Sequence, residues 1–152
     1  MSRRIGQVKK GRYVEGFSLI EIMITLVIVG ILGSMAYPSY IEYLTRARRI
    51  DGQTALLELA NQMEQFYTEN QTYLTATLGT GSPTDIRRTT LTPEGWYRLS
   101  IAYQTQSEYT LKAVPQRAQA RYDTLCQTLS FNQFGEKGPQ LPQDKSHLSC
   151  WS

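Results

Sequence analysis

A single carboxylate stands at the mouth of an apolar run. Glu21 follows Gly16-Phe17-Ser18-Leu19-Ile20, and residues 22–41 then carry no charge over 20 positions. A charge within an apolar span costs roughly 2.5–3.5 kcal/mol on insertion scales, so Glu21 needs a compensating partner. Ahead of it, Arg3, Arg4, Lys9, Lys10 and Arg12 form a short basic stretch that ends at Gly16. Other reactive groups are few. Cys126 and Cys150 are the only cysteines and His147 the only histidine. Two thiols and one imidazole do not complete a closed structural zinc site, so neither a metal nor a cofactor is expected, and His147 reads as an exposed loop residue. The sequence holds no Gly-rich phosphate loop, no paired-carboxylate motif, and no Ser or Cys nucleophile with a recognisable base. General acid–base chemistry has few candidates with one imidazole. The residues do not read as an enzyme.

The elements that must position Glu21 come next. Twenty uncharged residues are about enough to cross a bilayer core as a helix. An ordinary secretory peptide is cut after its apolar region; here the plausible cut lies before it, at Gly16, so the apolar segment stays on the chain. A plain single-pass anchor is the alternative. Basic residues flanking a span remain cytoplasmic, which puts residues beyond about 42 outside the cytoplasm. The formal charge of +3 is therefore mainly a topology signal: five of the 16 basic residues, and one of the 13 acidic ones, precede Phe17, and without them the net charge is near −1.

Gly16-Phe17-Ser18-Leu19-Ile20-Glu21, set between a basic leader and an apolar run, resembles the prepilin processing site of type IV pilins and pseudopilins. The resemblance implies that a prepilin peptidase cuts between Gly16 and Phe17 and that Phe17 is then N-methylated. It implies three segments: a leader at 1–16, a hydrophobic transmembrane and filament-core helix at 17–41, and a periplasmic or surface-exposed globular domain at 42–152. The fold it implies is α+β, a long N-terminal α-helix whose C-terminal half packs on a small antiparallel β-sheet, with a disulfide-closed C-terminal loop. Cleavage creates a cationic α-amino group on Phe17, which Glu21 of a neighbouring subunit can meet. A desolvated charge without a partner is costly, so Glu21 is the expected subunit-assembly residue, a carboxylate at the membrane edge that reaches out to water being the alternative. The implied partners are other pilin subunits, the peptidase, a pilus assembly platform, the inner membrane before assembly, and DNA if the pilus serves uptake. An oxidising compartment makes a Cys126–Cys150 disulfide the natural pairing, two free thiols being the alternative.

Further along, residues 17 to about 69 read as one long helix, apolar on all sides in its first half. From Tyr43 the pattern turns amphipathic: Leu44, Ala47, Ile50, Leu57, Ala60, Met63 and Tyr67 recur at spacings of three, four or seven. Arg46, Arg48, Arg49, Glu58 and Glu64 fall largely on wetter faces. Gly30, Gly33 and Pro38 weaken the first half, and Gly52 reads as a local bend. Residues 70–95 form a polar connector that includes the sequon Asn70-Gln71-Thr72. Strand signals lie at 96–103, 108–114 and 125–131, with a turn at 104–107 and a break at 134–139. A sheet of three or four antiparallel strands needs a cover, and the amphipathic half of the helix supplies it.

Three functions compete on these residues. A structural subunit of a type IV pilus leads. A DNA-binding minor pilin is the second: Arg87, Arg88, Arg117 and Arg121, with Arg46, Arg48 and Arg49, could meet phosphates, the bland alternative being a solvated surface. A type II secretion pseudopilin shares the Phe17–Glu21 region and is the third.

Overall fold

The computed structural model describes residues 16–139, 150 and 151. The leader up to Glu15 and His147 lie outside the described residues. By its internal contacts the chain divides into two units, Met1–Pro38 and Ser39–Ser152.

Helix α1 runs Leu19–Asn70 and continues through Pro38. Its start is marked by Ser18, whose carbonyl accepts from the N–H groups of Glu21 at 3.1 Å and Ile22 at 3.2 Å. In the first unit the helix is long and apolar enough to cross a membrane, and its side chains are exposed. Thr25 and Ser34 turn their hydroxyls back to the carbonyls of Ile22 and Ile31. That local bonding leaves an apolar exterior, because the polar groups are satisfied within the helix. The helix ends where Gln71 takes a left-handed φ of 57° and its N–H donates to Tyr67 O at 2.7 Å, the conformation that commonly closes a helix.

In the second unit, α1 covers one face of a sheet. Two short strands in the connector, β1 (Thr77–Leu78) and β2 (Asp85–Arg87), pair in parallel. Then come β3 (Tyr97–Gln104), β4 (Tyr109–Pro115), helix α2 (Arg117–Tyr122), β5 (Leu129–Asn132) and β6 (Lys137–Gly138). The four later strands form one antiparallel sheet in sequence order. Alternation sets its two faces. Tyr97, Leu99, Tyr109, Leu111, Ala113 and Leu129 are buried, whereas Arg98, Lys112 and Val114 are exposed. Leu56, Leu59 and Met63 of α1 complete the core at zero exposure, each such side chain stabilising by roughly 1.5–3 kcal/mol.

The expected helix face needs correcting. Ala60 and Met63 are buried and Tyr67 packs at the edge of the core, but Ala47, Ile50 and Leu57 are exposed. The buried line instead includes Thr45, Gly52, Gln53, Leu56, Leu59, Met63 and Phe66. Its upper part is small or polar because of what lies opposite. A Cβ on Gly52 would stand 2.9 Å from Cγ and Cδ2 of the Tyr97 ring, so Gly52 permits a close approach and is not a bend. Gln53 is buried because its Nε2 donates to the Cys150 carbonyl at 2.8 Å.

Candidate functional site

The N-terminal candidates sit together at the start of α1. Gly16 and Phe17 precede the helix, Phe17 is 80% exposed, and Glu21 lies exposed in the first turn. The first turn carries partial positive charge from unpaired N–H groups, and a carboxylate is favoured there.

Cys126 and Cys150 are joined in a disulfide with Cα atoms 5.5 Å apart. Around them lies a buried polar network that the sequence did not disclose. Asp123 is 1% exposed. Its carboxylate accepts from Arg49 Nε at 2.7 Å, Arg49 Nη2 at 2.8 Å, Gln119 Nε2 at 2.9 Å and the Cys126 N–H at 3.2 Å. Gln119 also donates to Thr45 O at 3.1 Å and to the Tyr97 hydroxyl at 3.0 Å. Burial raises the Tyr97 phenol well above its ordinary range; Gln119 opposes that shift and Asp123 adds to it. The network ties α1, β3, α2 and the disulfide to one another. Arg49 thus leaves the wet face assigned to it. Arg46 stays there, paired with Glu42, and Arg48 is half-buried with its guanidinium 3.8 Å from the centre of the Trp96 ring.

A second cluster fixes the other end of α1 in this unit. The Glu64 carboxylate accepts from Tyr73 OH at 3.0 Å and from Tyr109 OH at 3.0 Å. Desolvation, then the hydrogen bond to Glu64, pushes the Tyr73 phenol up to about 12. Tyr109 moves in the same direction for the same reasons. The connector is ordered by Asp85, which accepts from the hydroxyls of Thr77 at 2.7 Å and Thr80 at 2.8 Å and from the amides of Thr80 at 2.9 Å and Gly81 at 2.7 Å. Desolvation alone would raise the Asp85 carboxyl, but these bonds hold it below its usual range.

The four candidate DNA contacts fall in two places. Arg87 ends β2 and its Nη1 lies 3.4 Å from Glu58 Oε2, with its side chain 14% exposed; it is largely committed within the fold. Arg88, next to it, is exposed. Arg117 and Arg121 belong to α2 and are exposed, Arg121 lying 5.8 Å from the Tyr122 ring centre. Arg117 adopts φ 52°. Its Nη1 stands 3.7 Å from where a Cβ on Gly95 would be. Arg98 and Lys112 are further exposed cations, both on the outer sheet face by strand alternation.

Residues 11–37 match the family described as the prokaryotic N-terminal methylation motif. Residues 38–130, more than half of the chain, match the family described as type IV minor pilin ComP, DNA uptake sequence receptor. The chain belongs to this type IV minor pilin family. Membership in the ComP family puts the chain among pilus subunits, a structural class rather than an enzyme class. The long helix on an antiparallel sheet and the disulfide are therefore features of a type IV pilin. The type IV major pilin PilA of Myxococcus xanthus is 36% identical over 59 residues, covering 39% of this chain and 27% of that protein. The type II secretion system core protein G of Vibrio cholerae is 32% identical over 71 residues, covering 47% of this chain and 49% of that protein. The chain thus spans half or less of the length of these curated relatives. Among solved structures, the minor pilin PilV of Neisseria meningitidis aligns with a TM-score of 0.48 at 18% identity, covering 72% of this chain and 96% of that one. A type IV pilin from Shewanella oneidensis aligns with a TM-score of 0.46 at 25% identity, covering 71% and 98%.

Proposed function

We propose that this pilin is a minor subunit that captures DNA at the surface of a type IV pilus. It is made as a prepilin with residues 1–16 as leader. The segment 17–41 spans the inner membrane, and residues 42–152 stand on the periplasmic side before they reach the filament surface. A prepilin peptidase cuts between Gly16 and Phe17 and the new terminus is methylated. Glu21 then meets the Phe17 amine of a neighbouring subunit on the assembly platform. The exposed position of both Phe17 and Glu21 leaves them open to a neighbouring copy and supports this pairing.

One observation carries the DNA reading: the match of residues 38–130 to a family described as a DNA uptake sequence receptor. The partial likeness to a major pilin and to a secretion-system core protein covers less than half of this chain and does not discriminate between these readings. The charges are compatible with the reading. Arg49 and Arg87 are engaged by Asp123 and Glu58, whereas Arg88, Arg117 and Arg121 stay exposed and free of carboxylates among the described residues. The test is binding of a labelled duplex by the full chain in detergent micelles across a salt series. Affinity should fall linearly in log–log form as salt rises. Absence of binding at low salt would overturn the DNA reading.

A further inference from the structure

We infer that the outer face of the β3–β4–β5 sheet, turned away from α1, is a track for the phosphate backbone of duplex DNA, with Arg98 and Lys112 at its centre and Arg117 at one end. The inference rests on the DNA-capture reading and names the surface that carries it.

Strand register fixes the arrangement. Arg98 pairs with Val114, while Lys112 pairs with Ser100 on one side and Ser130 on the other. All share the outer face, opposite the buried Leu99, Leu111 and Leu129. Arg98 and Lys112 are therefore diagonal neighbours, about 7–8 Å apart at the backbone. Two long cationic side chains so placed can reach neighbouring phosphates of one strand, which recur about every 3.4 Å along the helix axis. Like charges side by side on a sheet face are unfavourable for folding. Arg46, Arg49 and Arg87 pair with Glu42, Asp123 and Glu58, whereas Arg88, Arg117 and Arg121 have no carboxylate partner among the described residues. Arg98 and Lys112 likewise have no carboxylate partner among the described residues, and their side-by-side register leaves both free to meet a polyanion.

The surface around them is low and rich in donors. Ser100 and Ser130 flank Lys112, and a Cβ on Gly138 would fall 2.3 Å from Ser130 Oγ, so the serine hydroxyl lies flat over a bare glycine. Thr110 and Ser130 line a shallow depression beside it together with Asn132, whose amide donates to the Glu136 carboxylate at 2.7 Å; Lys137, paired with Phe131, belongs to the other face. The hydroxyls of Ser100, Thr110 and Ser130 are of the kind that donate to phosphate oxygens. At the other end, the Arg117 guanidinium lies beside Gly95, which has φ +72° and no side chain to obstruct it, three residues ahead of Arg98. Arg117 is held there in a left-handed conformation that only glycine adopts readily. Glu94 in this turn and Glu136 at the depression are exposed carboxylates that oppose a polyanion.

The face holds a duplex without reading its sequence. Tyr103 is the one aromatic that the register puts on it, opposite Thr110. Stacking of successive single-stranded bases needs a row of such rings. A flat sheet cannot enter the major groove to reach base edges, as a helix or two-stranded ribbon does.

The decisive experiment uses the full chain in detergent micelles with two unrelated labelled duplexes across a salt series. Arg98→Gln/Lys112→Gln should weaken both duplexes equally, by about 10- to 100-fold at 0.1 M salt, and should flatten the log–log salt slope by about two. Arg46→Gln/Arg87→Gln, which removes carboxylate-paired cations, should change affinity by less than about three-fold. Glu94→Gln should tighten binding. If the wild type binds and the Arg98/Lys112 variant keeps its affinity and slope, this surface is wrong and DNA capture stands. If the loss is confined to one duplex, the backbone-only reading is wrong. If the wild type binds neither, the DNA reading itself fails. A melting curve confirms that the exposed changes leave the fold intact, and the Glu94→Gln gain remains measurable even if the double variant does not fold.

Discussion

Removing Arg49 should destabilise the globular unit far more than its place in an arginine-rich stretch suggests. Asp123 is 1% exposed and receives two of its hydrogen bonds from the Arg49 guanidinium, at 2.7 and 2.8 Å. Arg49→Met keeps the aliphatic stem and leaves a buried carboxylate to Gln119, Tyr97 and one amide. Breaking a buried pair by deleting one partner costs roughly 3–5 kcal/mol. For a domain of this size that lowers the melting temperature by roughly 10–20 °C. Arg49→Met/Asp123→Asn removes both charges and keeps a side-chain oxygen to accept from Gln119 and the Cys126 N–H; it should recover part of the loss. Arg46→Met breaks an exposed i,i+4 pair whose partners are 61% and 63% exposed, and should cost no more than about 0.5 kcal/mol. Thermal unfolding of the full chain in detergent, followed by near-ultraviolet circular dichroism, separates the cases. If Arg49→Met and Arg46→Met melt together, or if the double variant is no better than Arg49→Met, the network does not hold α2 and the disulfide as argued.

Three further outcomes are expected. Gly52→Ala gains about 1 kcal/mol of helix propensity but drives a methyl to 2.9 Å from the Tyr97 ring; overpacking costs about 1–3 kcal/mol, so the melting point should fall, whereas a mere helix bend would be stabilised. Tyr73 ionises near 12 in the folded chain against 10 unfolded, so its contribution is intact below pH 10 and lost as pH rises from 10 to 12. A spectrophotometric tyrosine titration should show that phase coinciding with unfolding, and Glu64→Gln should bring the Tyr73 midpoint down without reaching 10, because desolvation is the larger cause. Glu21→Ala should leave the melt of the globular unit unchanged and abolish recovery of the subunit in sheared filaments; unchanged recovery would remove Glu21 from assembly.

Local patterns were legible where one force decided them. The absence of charge at 22–41 made the first half of α1 plain. Alternation located β3 and β4 within a residue: 96–103 against Tyr97–Gln104, and 108–114 against Tyr109–Pro115. The third strand was read too early, at 125–131 against Leu129–Asn132, because Cys126 is held in a loop by its disulfide and by Asp123, which no propensity reveals. Lys137–Gly138, inside the expected break, pairs with β5 as β6. Helix α2 has six residues, too few for a period to register. The inward face of α1 was misread where Thr45, Gly52 and Gln53 replace apolar residues, each for a partner distant in sequence. The candidate DNA arginines were named by charge alone. Partners then withdrew Arg87, and register introduced Arg98 and Lys112.

The central claim, a processed pilin that enters a filament, is tested most directly by the intact mass of this chain in sheared surface filaments. The account predicts a species that begins at N-methylated Phe17 and carries one disulfide, Cys126–Cys150. A chain in those filaments that still begins at Met1 and is unmethylated would contradict it.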